Sequence, residues 1–145
     1  MAKKILCATD GSHVSMKAAE FACRFAKEQP DAALIFVTVD RLSQQDLTED
    51  MYTSWDSRLV DAAEEEAARQ LKSAESLAKE QGVEASYVML RSHNTAAAII
   101  AYAEKEGIDH IITGSIGRTG VSRLLLGSVA WEVVTKAHCP VTIVR

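Results

Sequence analysis

The stretch Gly114-Ser115-Ile116-Gly117-Arg118-Thr119-Gly120-Val121-Ser122-Arg123-Leu124-Leu125-Leu126-Gly127-Ser128 decides the reading of this chain. Seven glycines occur in the sequence, and four of them fall here. Glycine allows positive φ and lets a ligand approach main-chain N–H groups closely. The stretch follows a strand-like apolar run and leads into a helix-like one. Between Ile111 and Trp131 lie two arginines and no carboxylate, although the chain carries a formal net charge of -4. Open N–H groups, hydroxyls, a helix start and local positive charge together suit phosphate. The spacing is G-x2-G-x9-G-S, carried by Gly114, Gly117, Gly127 and Ser128. It is neither a P-loop, since no lysine stands in place, nor the dinucleotide G-x-G-x-x-G. Arg118 and Arg123 either add charge to this loop or are simply solvated.

Upstream, strands and helices alternate. Lys3 to Ala8 reads as a first strand, bounded by Asp10-Gly11. Ser12 or Ser15 can cap the helix that follows, whose apolar face is Met16, Ala19, Phe21, Ala22, Phe25 and Ala26. Gln29-Pro30-Asp31 ends it. Ala33 to Val39 is a continuous apolar run, as buried parallel strands are. Asp40 to Ser57 is polar and weakly patterned, and reads as a loop with a helical piece around Asp46 to Thr53. Leu59 to Gln81 keeps the helical period through Val60, Ala63, Ala67, Leu71, Ala74, Leu77 and Ala78. Glu75 and Lys79 form an i,i+4 pair on its charged face. Gly82 closes that helix.

Ala85 to Leu90 is a third strand. Asn94 or Thr95 can cap a helix from Ala96 to Glu106, which Gly107 ends. Ile108 to Thr113 is the fourth strand, and the glycine loop comes next. Ser128 can cap a helix from Val129 to Lys136, and Pro140 to Arg145 is a short last strand.

The bulk properties narrow the class. A length of 145 residues implies one domain over 1–145. Hydrophobic content of 48% supplies a full core, and 25% charged residues suit a globular chain. A sequence pI of about 5.6 argues against a nucleic-acid binder. No apolar run reaches a membrane span, and the apolar run after Lys3-Lys4 is too short for a signal peptide. A cytoplasmic protein is expected. Cys7, Cys23 and Cys139 give neither a disulfide framework nor a zinc pattern. His13, His93, His110 and His138 are scattered, and no protein metal site is expected.

Five strands alternating with four helices imply an α/β fold, a parallel sheet covered on both faces. Periodicity does not supply the strand order. In the order 3-2-1-4-5 the first and fourth strands are neighbours at the reversal point, where open α/β sheets bind ligands. The Asp10 turn and the glycine loop would then face one cleft.

The segments KKILCATDGS, GSIGRTGVSRLLLGSVA and AHCPVTIVR, taken in order over the whole chain, resemble the universal stress protein family, in its ATP-binding branch. The resemblance implies an open five-stranded parallel sheet of the adenine nucleotide alpha hydrolase-like type, a homodimer paired through its C-terminal strand, and ATP in the cleft, with Mg riding on the phosphates. It assigns Gly114, Gly117, Gly127 and Ser128 to the ribose and phosphates, with Ser115 and Arg118 in the same binding set and Val129 contributing main chain. Asp10 matches an acidic residue that contacts the adenosine part, and Ala8 and Thr9 match its neighbours. Thr38 and Val39 match a strand end whose backbone reads the adenine edge. On their own evidence Asp10-Gly11 is an ordinary turn, and Thr38 and Val39 are plain strand residues.

Two departures from the family pattern stand out. His93-Asn94-Thr95 replaces a loop in which many relatives carry glycine, and a side chain there would narrow the ribose side or add a contact. Ile116 replaces a basic or imidazole residue often found in the first glycine turn.

No Ser/His/Asp or Cys/His arrangement is visible from spacing. Binding and regulation are expected rather than turnover, with weak ATP hydrolysis at most. The competing readings are a protein-interaction module of the same fold without nucleotide, and a slow ATPase. A protein partner is expected but not specified. Val141 to Val144 would form an exposed sheet edge, which two-fold antiparallel pairing would satisfy.

Overall fold

The structure is a computed structural model and describes residues 3–41, 51–55, 65–116 and 126–145. Its strands are β1 (Lys4–Ala8), β2 (Ala33–Asp40), β3 (Met51–Ser54), β4 (Ala85–Arg91), β5 (His110–Gly114) and β6 (Val141–Val144). Its helices are α1 (His13–Lys27), α2 (Glu65–Glu80), α3 (Thr95–Lys105) and α4 (Ser128–Lys136). They form one sheet of order β3-β4-β2-β1-β5-β6. The five strands read from the sequence are β1, β2, β4, β5 and β6. All of their mutual pairings are parallel, in the order 3-2-1-4-5.

The continuous apolar runs of the strands follow from burial on both faces. Ile5, Cys7, Leu34 and Phe36 face α1 and α2, where they join Ala18, Ala22, Leu71, Ala74 and Ala78. Leu6, Ala8, Val37, Val88 and Leu90 face the opposite side and pack with Ile99, Tyr102, Ala103 and Val133 of α3 and α4. Fully burying one such large side chain contributes about 1.5–3 kcal/mol. Most buried positions on the described helices are alanines, which lets the helices lie close to the sheet. Gly82 and Gly107 stop α2 and α3 as expected, with φ of +70° and +64°. Val83 N then donates to Ala78 O at 2.9 Å, and Ile108 N to Ala103 O at 2.9 Å.

The segment after β2 departs from the sequence reading. Met51–Ser54, expected at the edge of a helical piece or in a loop, is a strand antiparallel to β4, with Met51 opposite Arg91 and Ser54 opposite Val88. The reason is tertiary. Without this cover β4 would be a bare edge, and four residues are too few to show a period. Trp55 N continues the ladder to Tyr87 O at 2.9 Å, and the Trp55 ring meets Tyr87 edge-on, which in turn stacks on Phe36. The rest of the expected helical piece, residues 46–50, lies outside the described residues, as does the start of the helix read from Leu59. The helix is described from Glu65, and Glu75–Lys79 pairs on its surface at 3.8 Å.

Candidate functional site

Strand order reverses between β1 and β5. The chain leaves β1 through α1 toward β2, and leaves β5 through α4 toward β6. The first turns of α1 and α4 therefore flank the carboxyl ends of the central strands from opposite faces, where a crevice forms.

On the α1 side, the turn after β1 is built by short polar side chains. Thr9 N donates to Val37 O at 2.9 Å, the last bond of β1 to β2. Gly11 turns with φ +79°. Asp10 Oδ1 accepts from Ser12 N at 2.9 Å, a local Asx turn. Ser12, one of two candidate caps, is the cap, and its Oγ accepts from Ser15 N at 3.2 Å. Ser15 instead acts as a hub: its buried Oγ lies 3.2 Å from Thr9 Oγ1 and 3.0 Å from Ser12 O, and receives Asp10 N at 3.4 Å. The Thr9 hydroxyl is thus engaged beneath the turn, and only the main chain of Thr9 is left to face the crevice.

Gly114 closes β5 against this turn. A Cβ there would stand 3.0 Å from Val14 Cγ1 and 3.3 Å from Ser15 N. Ser115 N continues the sheet to Val144 O at 2.8 Å, and Ser115 O accepts from Gly127 N at 2.7 Å. The two ends of the glycine loop are therefore clamped together at the tip of β5. Gly127 is needed for that contact, since a Cβ on it would meet Ser115 O at 3.1 Å and Ile116 Cα at 3.3 Å. Gly117 and Arg118 lie outside the described residues.

Gly127, not Ser128, occupies the N-cap of α4, with no side-chain cap bond. Ser128 is the first helical residue, because the clamp to Ser115 sets the chain entry one position earlier. The first intrahelical bond runs from Trp131 N to Gly127 O at 2.9 Å. The amides of Ser128, Val129 and Ala130 come before that bond, and N–H groups of a first turn have no partner inside the helix. α1 and α3 have side-chain caps, Ser12 and Asn94. Among the described residues no side chain caps α4, and an uncapped helix start favours negative charge.

β2 supplies a different kind of group. Ala33 N donates to Lys3 O and Val37 O accepts from Thr9 N, so odd-numbered residues of β2 turn their main-chain groups toward β1. Asp40 O accepts from Ser92 N at 3.2 Å, so even-numbered residues turn toward β4. Pairing with β1 ends at Ala8 opposite Val37. Val39 then presents N–H and C=O past the end of β1, with no strand beside them among the described residues. The Val39 side chain packs in the α3/α4 cluster together with Ala8 and Val129. Ala8, Val39 and Val129 are thus an apolar group under the crevice, with polar main chain around it.

The hydroxyl of Thr38 is not in the crevice. It is buried and donates to Gln70 Oε1 of α2. Asp40, next along, is partly buried, with no partner on Oδ2 among the described residues. Burial raises its pKa, and the nearby charge of Arg91 partly offsets that. Among the residues of the His93-Asn94-Thr95 loop, Asn94 is used as the cap of α3, accepting from Ala97 N at 3.0 Å. His93 is exposed. Ser15, Gln70 and β3 are not legible as site elements in the sequence. Only Gln70 carried a signal there, as a polar residue between Ala67 and Leu71 on an apolar stripe. Among the described residues no three His, Cys, Asp or Glu side chains gather as metal ligands. No helix among them is long and apolar enough to cross a membrane.

The chain matches the universal stress protein family over residues 1–145. Universal stress protein MJ0531 of Methanocaldococcus jannaschii is 38% identical over 143 residues, covering 99% of this chain and 82% of its own. Universal stress protein YxiE of Bacillus subtilis is 33% identical over 150 residues, with both chains fully covered. Among solved structures, the universal stress protein from Archaeoglobus fulgidus in complex with dAMP superposes with a TM-score of 0.70. It is 21% identical, covering 100% of this chain and 98% of its own. An open α/β sheet with its crevice at the strand reversal is the class defined by this geometry. The chain belongs to the universal stress protein family.

Proposed function

We propose that this protein binds an adenine nucleotide, ATP with Mg on its phosphates, across the carboxyl ends of β1, β2 and β5, and acts as a homodimeric regulatory module of one domain in the cytoplasm. The observation that carries the reading is the first turn of α4, without a side-chain cap among the described residues and clamped to the tip of β5 by the Gly127–Ser115 bond. It offers N–H groups to phosphate from Ser128 and Val129, with Gly114, Ser115, Gly117 and Arg118 completing that end. Val39 lies at the right place for the base. Its C=O accepts from an exocyclic amine and its N–H donates to a ring nitrogen, the pattern of the adenine edge. Ala8 and the Thr9 main chain border the base, and the Asp10 turn meets the ribose. The binding of dAMP by a protein of the same fold and family supports this choice of ligand. Metal would be carried by the phosphates themselves, as Mg²⁺ often is.

Dimerisation has its own support. β6 is the outer strand of the sheet. Val144 O accepts from Ser115 N and Pro140 O from Ile111 N, so the main-chain groups of Val141 and Ile143 point away from β5. A second β6, antiparallel across a two-fold axis, would satisfy them. Trp131 and Val134 of α4 are 58% and 45% exposed, one turn apart, and give that pairing an apolar flank.

Calorimetry with Mg-ATP tests the site. The unsubstituted protein binds, and Gly127→Val, whose side chain would press on Ser115 O, loses about tenfold or more in affinity. Equal affinity in both proteins contradicts the assignment.

A further inference from the structure

Val39 can discriminate bases only if its main chain is held still. Hydrogen-bond donors and acceptors need placement to about 0.5 Å for recognition. The end of β2 lacks the usual support, because pairing with β1 stops at Ala8–Val37 and only β4 remains alongside. The Val39 N–H belongs to the same peptide plane as the Thr38 carbonyl, so whatever fixes Thr38 aims the Val39 donor. Thr38 is 2% exposed, and its Oγ1 donates to Oε1 of Gln70. Gln70 is itself 9% exposed and is restrained from its other end, where Nε2 donates to Glu66 Oε1 at 3.4 Å. The side chain crosses from α2 to the sheet directly behind the crevice. A glutamine on a stripe of Ala67, Leu71, Ala74 and Ala78 is costly to bury unless both ends are bonded.

We infer that Gln70 is a positioning residue for base selectivity: by anchoring Thr38 from α2 it holds the Val39 peptide in register with the adenine edge. This rests on the nucleotide site proposed above. Gln70 itself touches no ligand. Its effect is therefore confined to the base and absent from the phosphate end, more than one strand away.

The test compares ATP, ITP and tripolyphosphate by calorimetry in the unsubstituted protein, Gln70→Leu and Gln70→Glu. Hypoxanthine reverses the donor and acceptor at the edge that adenine presents to Val39. The unsubstituted protein favours ATP over ITP by about 30-fold or more, as expected when a site hydrogen-bonds the wrong edge poorly. Gln70→Leu brings that ratio to about threefold or less, while tripolyphosphate affinity stays within about twofold. Gln70→Glu keeps an acceptor oxygen for Thr38 but sets a second carboxylate beside Glu66, so its ratio falls between those of the unsubstituted protein and Gln70→Leu. An unchanged ATP to ITP ratio in Gln70→Leu overturns the role of Gln70, as does an equal weakening of all three ligands. Absence of ATP binding by the unsubstituted protein overturns the site reading itself, and is a separate result. Should Gln70→Leu not fold, Thr38→Val and Thr38→Ser make the same comparison from the other partner: loss of selectivity in the first and its retention in the second support the inference, and equal ratios overturn it.

Discussion

Gly114 at the end of β5 and Val14 in the first turn of α1 are packed so closely that a β-carbon on the glycine would lie 3.0 Å from Val14 Cγ1. The Ser15 amide nitrogen would be 3.3 Å away. The helix that follows β1 is thus seated directly on the backbone of β5, and the two loops of the crevice are held at a fixed separation. Gly114→Ala is expected to destabilise the fold by about 1–3 kcal/mol, the usual cost of overpacking. Adding Val14→Ala to it relieves the shorter contact and recovers part of the loss. Denaturant melts of both variants measure this, and a double variant no more stable than Gly114→Ala alone would contradict it.

Ser15 ties together Thr9, Asp10 and Ser12 in a site where it and Thr9 are each 4% exposed. Ser15→Ala leaves the Thr9 hydroxyl without its buried partner, at a cost of about 1–3 kcal/mol. Ser12→Ala removes only a helix cap, typically about 1 kcal/mol. Both losses show in chemical melts. Nucleotide affinity falls more in Ser15→Ala, because the Asp10 amide is released with it.

These two residues show how far sequence alone reaches. The period of apolar residues reveals strands and helices because each strand is buried on two faces and each helix on one. The glycine spacing reveals the clamp at the tip of β5 because close packing leaves little room for a Cβ at Gly114 and Gly127. Ser15 is different. Its role depends on β1 and α1 meeting at a particular distance, and from sequence it is one more serine near a helix start. The same holds for Gln70, whose partner is 32 residues away. β3 is not legible in the sequence because its reason for being a strand lies in β4, not in its own four residues.

His110 Nε2 lies 2.7 Å from Thr142 Oγ1, and its ring meets Phe25 at 5.0 Å between centroids. Burial, and secondarily the charge of Lys3, lowers its pKa below the ordinary 6.5. The unfolded chain then binds the proton more readily than the folded one. Stability is fully present above about pH 6.5 and is lost as pH falls through the lower folded value. Melting temperatures between about pH 8 and pH 5 should show this drop in the unsubstituted protein, and a shallower one in His110→Gln. An equally steep profile in the variant would assign the effect elsewhere.

Trp131 is the largest exposed apolar side chain among the described residues, at 58%. If it flanks a β6–β6 pairing, Trp131→Glu places a charge in the contact and shifts the assembly toward the 15.8 kDa protomer. Sedimentation equilibrium reads the mass. A protomer mass for the unsubstituted protein at high concentration would contradict the dimer.

A crystal structure of the protein grown with Mg-ATP locates the nucleotide. The adenine edge is expected on the main chain of Val39, and the phosphates at the Gly114–Ser115 turn and the amides of Ser128 and Val129. Nucleotide bound elsewhere, or a crevice that stays empty at saturating ATP, would contradict that placement.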